Sequence, residues 1–135
     1  MTPDEAHAFV AENHRAVMVT RRSDGGVQTS PLTVGVDDEK IVISSRETAY
    51  KVRNLRRDPS VTLCVVNDGF YGDWIQVEGR AEIVSLPEAM EGLVDYYRRI
   101  SGEHPDWDDY RSAMERDKRV LIRVSIDKAG PTRYG

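Results

Sequence analysis

Cysteine is almost absent from this chain of 135 residues; Cys64 stands alone. No intramolecular disulfide can form, and a cysteine-rich zinc site is excluded. Histidine is scarce too: His7, His14 and His104 lie far apart, and no serine sits in a nucleophile-elbow context. The residues therefore offer no nucleophile–base motif. Long apolar runs are missing. None exceeds a handful of residues, against the roughly 20 that a membrane-spanning helix needs. The opening Met-Thr-Pro-Asp-Glu-Ala-His has neither the basic start nor the apolar stretch of a secretory signal, so a cytoplasmic location is expected. The net charge of −4 gives the chain as a whole no bias toward nucleic acid or a membrane. No repeat or low-complexity segment stands out.

What is present reads as an ordinary soluble domain. Charged residues make up 31% and hydrophobic ones 39%, enough to build one core, and the length fits a single domain over residues 1–135. Thr2-Pro3-Asp4-Glu5 opens a helix: a cap, a proline at the first position and acids in the first turn. That helix is expected to run to about Asn13. Short β-branched runs predict strands at Ala16–Thr20, Val27–Val36, Lys40–Ser44, Ser60–Val66, Trp74–Val84 and Arg119–Ile126. Pro31 interrupts the second and marks it as an edge or a bulge; Gly79 predicts a bend in the fifth. Further helices are expected over Glu47–Arg57, from Pro87 to about Ile100, and over Asp106–Arg116, with Asp106 as a cap. Tight turns at Ser23-Asp24-Gly25-Gly26, Asp37-Asp38-Glu39 and Asn67-Asp68-Gly69 imply hairpins, hence antiparallel pairing. The expected fold is mainly β with peripheral helices: a six-stranded antiparallel barrel under a helical cover.

The most informative electrostatic feature is Arg46–Arg57, with five positive charges and one negative in a chain that is negative as a whole. On a helical wheel Val52 and Leu55 form the apolar stripe, Lys51 lies at its edge, and Arg53, Arg56 and Arg57 fall on the far side. Lys51 should therefore lie against the body of the protein. Ser44-Ser45 precedes this helix at a strand end. Free N–H groups and the positive dipole end of a helix make such a junction a ready phosphate site. A solvated basic face explains the charges about as well. A nucleic-acid patch ranks lower, because no aromatic-rich or glycine-rich motif accompanies the charges.

Other groups have bland readings. Trp107, Tyr110 and Met114 form a packed helix face, and the acids around Glu103–Asp109 lack the calcium-loop pattern. Tyr71 and Trp74, beside a turn tip, are better pocket or interface candidates.

Three stretches carry a family resemblance. Val17-Met18-Val19-Thr20 with Asp24-Gly25 and Gln28-Thr29-Ser30-Pro31 is similar to an opening hairpin of pattern v-a-T … D-G-x-P-q-x-S-P, with Val27 where proline is common. Lys51-Val52-Arg53-Asn54-Leu55-Arg56-Arg57-Asp58-Pro59 is similar to K-x-R-N-L-R-R-D-P. Tyr97–Arg111 is similar to Y-R-x-I-x-G-E-H-x-D-W-D-x-Y-R. Together they resemble the F420-dependent branch of the pyridoxamine-phosphate-oxidase-like split barrels. The resemblance implies a homodimer with two cofactor sites at the subunit interface and a small-molecule substrate. It matches Lys51, Arg53, Asn54 and Arg56 to the phosphate and acidic tail of coenzyme F420. Gln28, Thr29, Ser30 and Pro31 match the strand beside the deazaflavin ring, and Ser44 and Ser45 the end of the neighbouring strand. Tyr71 and Trp74 fall in the segment that the partner subunit contributes. A redox cofactor also suits a chain without a catalytic side-chain motif, because the cofactor carries the chemistry. FMN is the main competitor, since it too has a phosphate; a non-catalytic F420 carrier is the other alternative. The longer acidic tail of F420 better suits an arginine-rich helix.

Overall fold

The computed structural model describes residues 1–131; residues 132–135 of the expected domain lie outside the described residues. Helix α1 (Pro3–Glu12) starts at a reciprocal cap. Thr2 Oγ1 accepts from Glu5 N at 3.1 Å, and Glu5 returns the bond to Thr2 N at 3.0 Å. Strands β1 (Arg15–Arg21) and β2 (Val27–Thr33) form the first hairpin, with Gly25 at a φ of 88° in its turn. Next come β3 (Gly35–Asp37), β4 (Lys40–Arg46), α2 (Tyr50–Arg57), β5 (Ser60–Val66) and β6 (Trp74–Val84). The described chain ends with α3 (Met90–Ser101), α4 (Trp107–Arg116) and β7 (Arg119–Gly130).

All seven strands belong to one antiparallel sheet in the order β2-β1-β5-β6-β7-β4-β3. The two edge strands, β2 and β3, are separated in the chain by Val34 alone. The sheet can satisfy that only by curling until its edges meet, which makes it a split barrel. The expectation of a mainly β antiparallel barrel with peripheral helices holds; the count of six strands does not. The stretch Val27–Val36 is two strands, and the break falls at Val34, not at Pro31. Its cause is tertiary: Val34 still donates to His14 O at 2.8 Å in the β1–β2 register, and from Gly35 the chain pairs with β4 instead. Pro31 sits inside β2, which is an edge strand as its proline requires.

The core lies on both sides of the β4–β7 half. Inside the barrel, Met18, Ile41, Ile43, Leu63, Val65, Ile75 and Ile122 pack with Val10 of α1 and with Val52 and Leu55 of α2. Outside it, Val42 and Leu121 meet Leu93 and Val94 of α3 and Tyr110 and Met114 of α4. Gly79 stands where β6 and β7 slip register, between Glu78 and Gly79. A Cβ there would come within 2.1 Å of Ser125 O, so no larger residue fits that bulge. Asp106 caps α4, accepting from Asp109 N at 3.1 Å. Among the described residues, no helix is long and apolar enough to cross a membrane.

Candidate functional site

Helix α2 closes the barrel at the end where β1 meets β2. Its periodicity explains how. Val52, Asn54 and Leu55 are buried in the barrel, Lys51 is half-buried at the rim, and Arg53, Arg56 and Arg57 are exposed. The helical wheel is thus borne out, with one addition: Asn54 points inward. There its amide joins a chain of hydrogen bonds. Asn54 Nδ2 donates to Thr20 Oγ1 at 3.1 Å, and the Thr20 hydroxyl donates to Gln28 Oε1 at 3.2 Å. On the other side Asn54 Oδ1 accepts from Arg57 at 3.2 Å. Thr20 is only 1% exposed, so this network ties α2 to β2 through a buried hydroxyl, where an unmade bond is expensive. Thr20 lies in an apolar strand and carried no signal of this role in the sequence.

The junction before α2 differs from expectation. Strand β4 continues to Arg46, a turn follows, and the helix begins at Tyr50 after Ala49, which supplies no side-chain cap. Ser44 and Ser45 therefore do not sit at the helix N-terminus. They also face opposite ways, as neighbours in a strand must. Ser45 is buried with the barrel residues and pairs with Val120, whereas Ser44 pairs with Leu121 on the face that α3 and α4 cover. The Tyr96 phenol of α3 lies by that face and donates to Thr33 O at 3.1 Å; burial raises its pKa.

Two cations meet here. Burial, and then the positive charge of Arg119, hold the Lys51 ammonium below its ordinary pKa. Arg119, at the head of β7, sits opposite Arg46 of β4, and its Nε is buried without a hydrogen-bond partner. By contrast, Arg56 is paired: its guanidinium donates to Glu47 at 2.7 Å and to Ser85 Oγ at 3.2 Å. On β2, Ser30 Oγ is likewise buried without a partner. Gln28 and Ser30 face inward, while Thr29 and Pro31 are exposed on the outer surface.

Tyr71 and Trp74 lie elsewhere. Trp74 pairs with Val66, which pairs with Arg15, whereas Gln28 pairs with Thr20. Five residues of strand, roughly 16 Å, separate the two levels. Tyr71 is 93% exposed on the β5–β6 hairpin, and Phe70 packs edge-on against it. Within one chain, then, the structure brings Gln28, Asn54 and Lys51 to the α2 end of the barrel and leaves the aromatic pair at the other.

A split barrel plugged by a basic helix, with unpartnered donors on β2 and β7, is the architecture of a small cofactor- or ligand-binding domain. The chain belongs to the pyridoxamine 5'-phosphate oxidase family, whose model matches residues 2–132. It is 25% identical over 126 residues to an F420H(2)-dependent biliverdin reductase of Mycobacterium tuberculosis, covering 93% of this chain and 84% of that protein. A conserved hypothetical protein of the same organism superposes with a TM-score of 0.78 at 24% identity, over 100% of this chain and 92% of the other. A structure described as an F420 reductase gives 0.72 at 20% identity, over 92% and 94%. The resemblance to the F420-dependent branch, carried by the three motifs, agrees with these relatives.

Proposed function

We propose that this protein is a homodimeric F420H2-dependent reductase that transfers a hydride to an activated double bond of a small molecule. The observation that carries the reading is Lys51: a half-buried ammonium beside a second cation, Arg119, with no acid within ion-pair distance among the described residues. An anionic group at that corner would restore its preferred charge state. The names of two similar proteins, the biliverdin reductase and the F420 reductase, support F420 as the source of that anion.

The residues present fit such a cofactor. Lys51 would meet its phosphate, and the exposed Arg53 and Arg56 would meet the acidic tail, Arg56 by exchanging Glu47 for a stronger anion. Asn54 would act chiefly by holding α2 against Thr20 and Gln28. Gln28 and Ser30, with the orphaned Ser30 hydroxyl as a donor, would line the ring from β2, beside Thr29 and Pro31; Ser44 and Ser45 would border it from β4. When bound, F420H2 supplies the hydride, so the chain needs to orient the ring and exclude water.

Tyr71 and Trp74 complete the site only from a second copy, because one chain holds them some 16 Å along the sheet from Gln28. The sheet favours such a partner. Val17, Val19, Thr62 and Cys64 sit in register on an outer face that no helix covers among the described residues, with Val17 39% exposed. An outward surface of this kind, mostly β-branched, supports an interface there.

Titration of the purified protein with F420 and with FMN, followed by turnover assays with F420H2, tests the reading. Tighter binding of F420 is expected. Tighter binding of FMN would replace it with a flavin oxidoreductase, and tight F420 binding without turnover on a broad panel of unsaturated substrates would make the protein a carrier.

A further inference from the structure

A cleft of about 640 Å³ opens on the other side of Arg119, between the β4–α2 turn, the chain entering α3, the end of α4 and the head of β7. Its floor is apolar: Leu86, Pro87, Met90 and Val120. Its charges are mostly spoken for. Glu47 is paired with Arg56 at 2.7 Å, and Arg111 with Glu91 at 2.8 Å. Glu115 and Lys118 stand exposed at the rim as an opposite pair of charges. Arg119 is what remains. It is half-buried, no acid lies within ion-pair distance among the described residues, and its Nε is shut away from solvent without an acceptor. The like charge of Arg46 faces it across the β4–β7 ladder, an arrangement that is unfavourable without an anion between.

A cation with an orphaned donor, at the wall of an apolar cleft of ligand size, is half of a recognition site. We propose that this cleft binds the substrate of the reductase, and that the substrate class is a small molecule with an apolar body and a carboxylate, anchored by Arg119. The assignment as substrate rests on the reductase reading; the anion site itself does not. The cleft and the face of β4 that carries Ser44 share the same helical cover: Val42, Leu121, Leu93 and Met90 pack together there. A carboxylate held at Arg119 would thus place its apolar body alongside the strand expected to border the cofactor ring.

The test uses naphthalene-2-carboxylate and its neutral counterpart naphthalene-2-carboxamide, titrated calorimetrically into the cofactor-free protein, with F420 titrated separately. The carboxylate should bind at least about tenfold more tightly than the amide, the effect of one charge-assisted contact. Arg119→Gln should abolish that preference, and Arg119→Lys should keep most of it. Met90→Trp, which fills the cleft without touching the charge, should weaken both ligands. F420 affinity should fall far less in Arg119→Gln than in Lys51→Ala. Equal binding of acid and amide, or a preference that survives Arg119→Gln, overturns the anion site. A loss of F420 affinity in Arg119→Gln as large as that in Lys51→Ala overturns the substrate assignment and gives Arg119 to the cofactor. Carboxylate preference in a protein with no F420 affinity would leave the anion site standing and remove the reductase reading instead.

Discussion

The outer surface of the sheet is dressed differently in its two halves. Over β4 and β7, helices α3 and α4 lay Leu93, Val94, Tyr110 and Met114 on Val42 and Leu121. The fit is close: the Tyr110 phenol donates to Leu93 O at 2.8 Å, and burial pushes its pKa up to about 12. Among the described residues no such layer lies over β1, β2 and β5, and Val17, Val27, Thr62 and Cys64 face outward. A sheet whose two faces are both β-branched needs a cover on both. One half is covered from within the chain; the proposed dimer would cover the other. The polar groups divide in the same way: the α2 plug has its amide and hydroxyl satisfied, while Lys51 and Arg119 have no acid within ion-pair distance among the described residues.

Charging the bare half should have the largest effect. Val17→Glu would bury an uncompensated carboxylate at about 3–5 kcal/mol, and two-fold symmetry would count it twice. Sedimentation should then show monomers of the variant and, on the proposed reading, dimers of the parent; an unshifted dimer would mean that this face is not the interface. Damage to the covered half should behave in the opposite way. Leu93 is fully buried, so Leu93→Ala should cost about 2–5 kcal/mol of stability in urea and leave the association state alone. Smaller effects belong to α2. Lys51→Ala should weaken F420 by roughly 1.5–3 kcal/mol, one charge-assisted hydrogen bond; unchanged affinity would refute its role. Thr20→Val strands the Asn54 amide and should cost about 1–3 kcal/mol of stability, with Thr20→Ser recovering most of it.

The smallest effect is in pH. The folded Lys51 has a lowered pKa, so the unfolded chain holds that proton to higher pH. The ammonium therefore weakens the cofactor-free fold below the lowered value, and this penalty is relieved as pH rises through it toward the ordinary lysine value. Binding of an anion favours the charged form, so F420 affinity should fall across the same window. The fall should vanish in Lys51→Met; a profile that is the same in both proteins would exclude Lys51 as its source.

Much of the fold was legible because it is local. The spans Ser60–Val66 and Trp74–Val84, the Thr2 cap and the Asp106 cap follow from residue types within a few positions of one another. The face of α2 was legible from its period, down to Lys51 at the rim. What escaped was set by distant partners. The break at Val34 needs β4, which takes over as partner from Gly35, and Thr20 matters only because Asn54 reaches it. Arg119 looks like the polar first residue of a strand until α2 and the cleft surround it. The serine pair was expected at the start of α2, but β4 runs on to Arg46 and the helix begins only at Tyr50, a boundary that the local residue types do not mark.

The central claim, a cofactor held between α2 of one copy and the β5–β6 hairpin of the other, has a direct test by complementation. Lys51→Ala and Trp74→Ala should each depress F420 binding when made alone. Co-expressed, they would form hybrid dimers in which one site combines both intact residues, restoring about a quarter of all sites by random pairing under two-fold symmetry. Recovery of tight F420 binding to that extent is the expected result. No recovery, with both variants folded, dimeric and exchanging subunits, would mean that Lys51 and Trp74 do not build a common site across the interface.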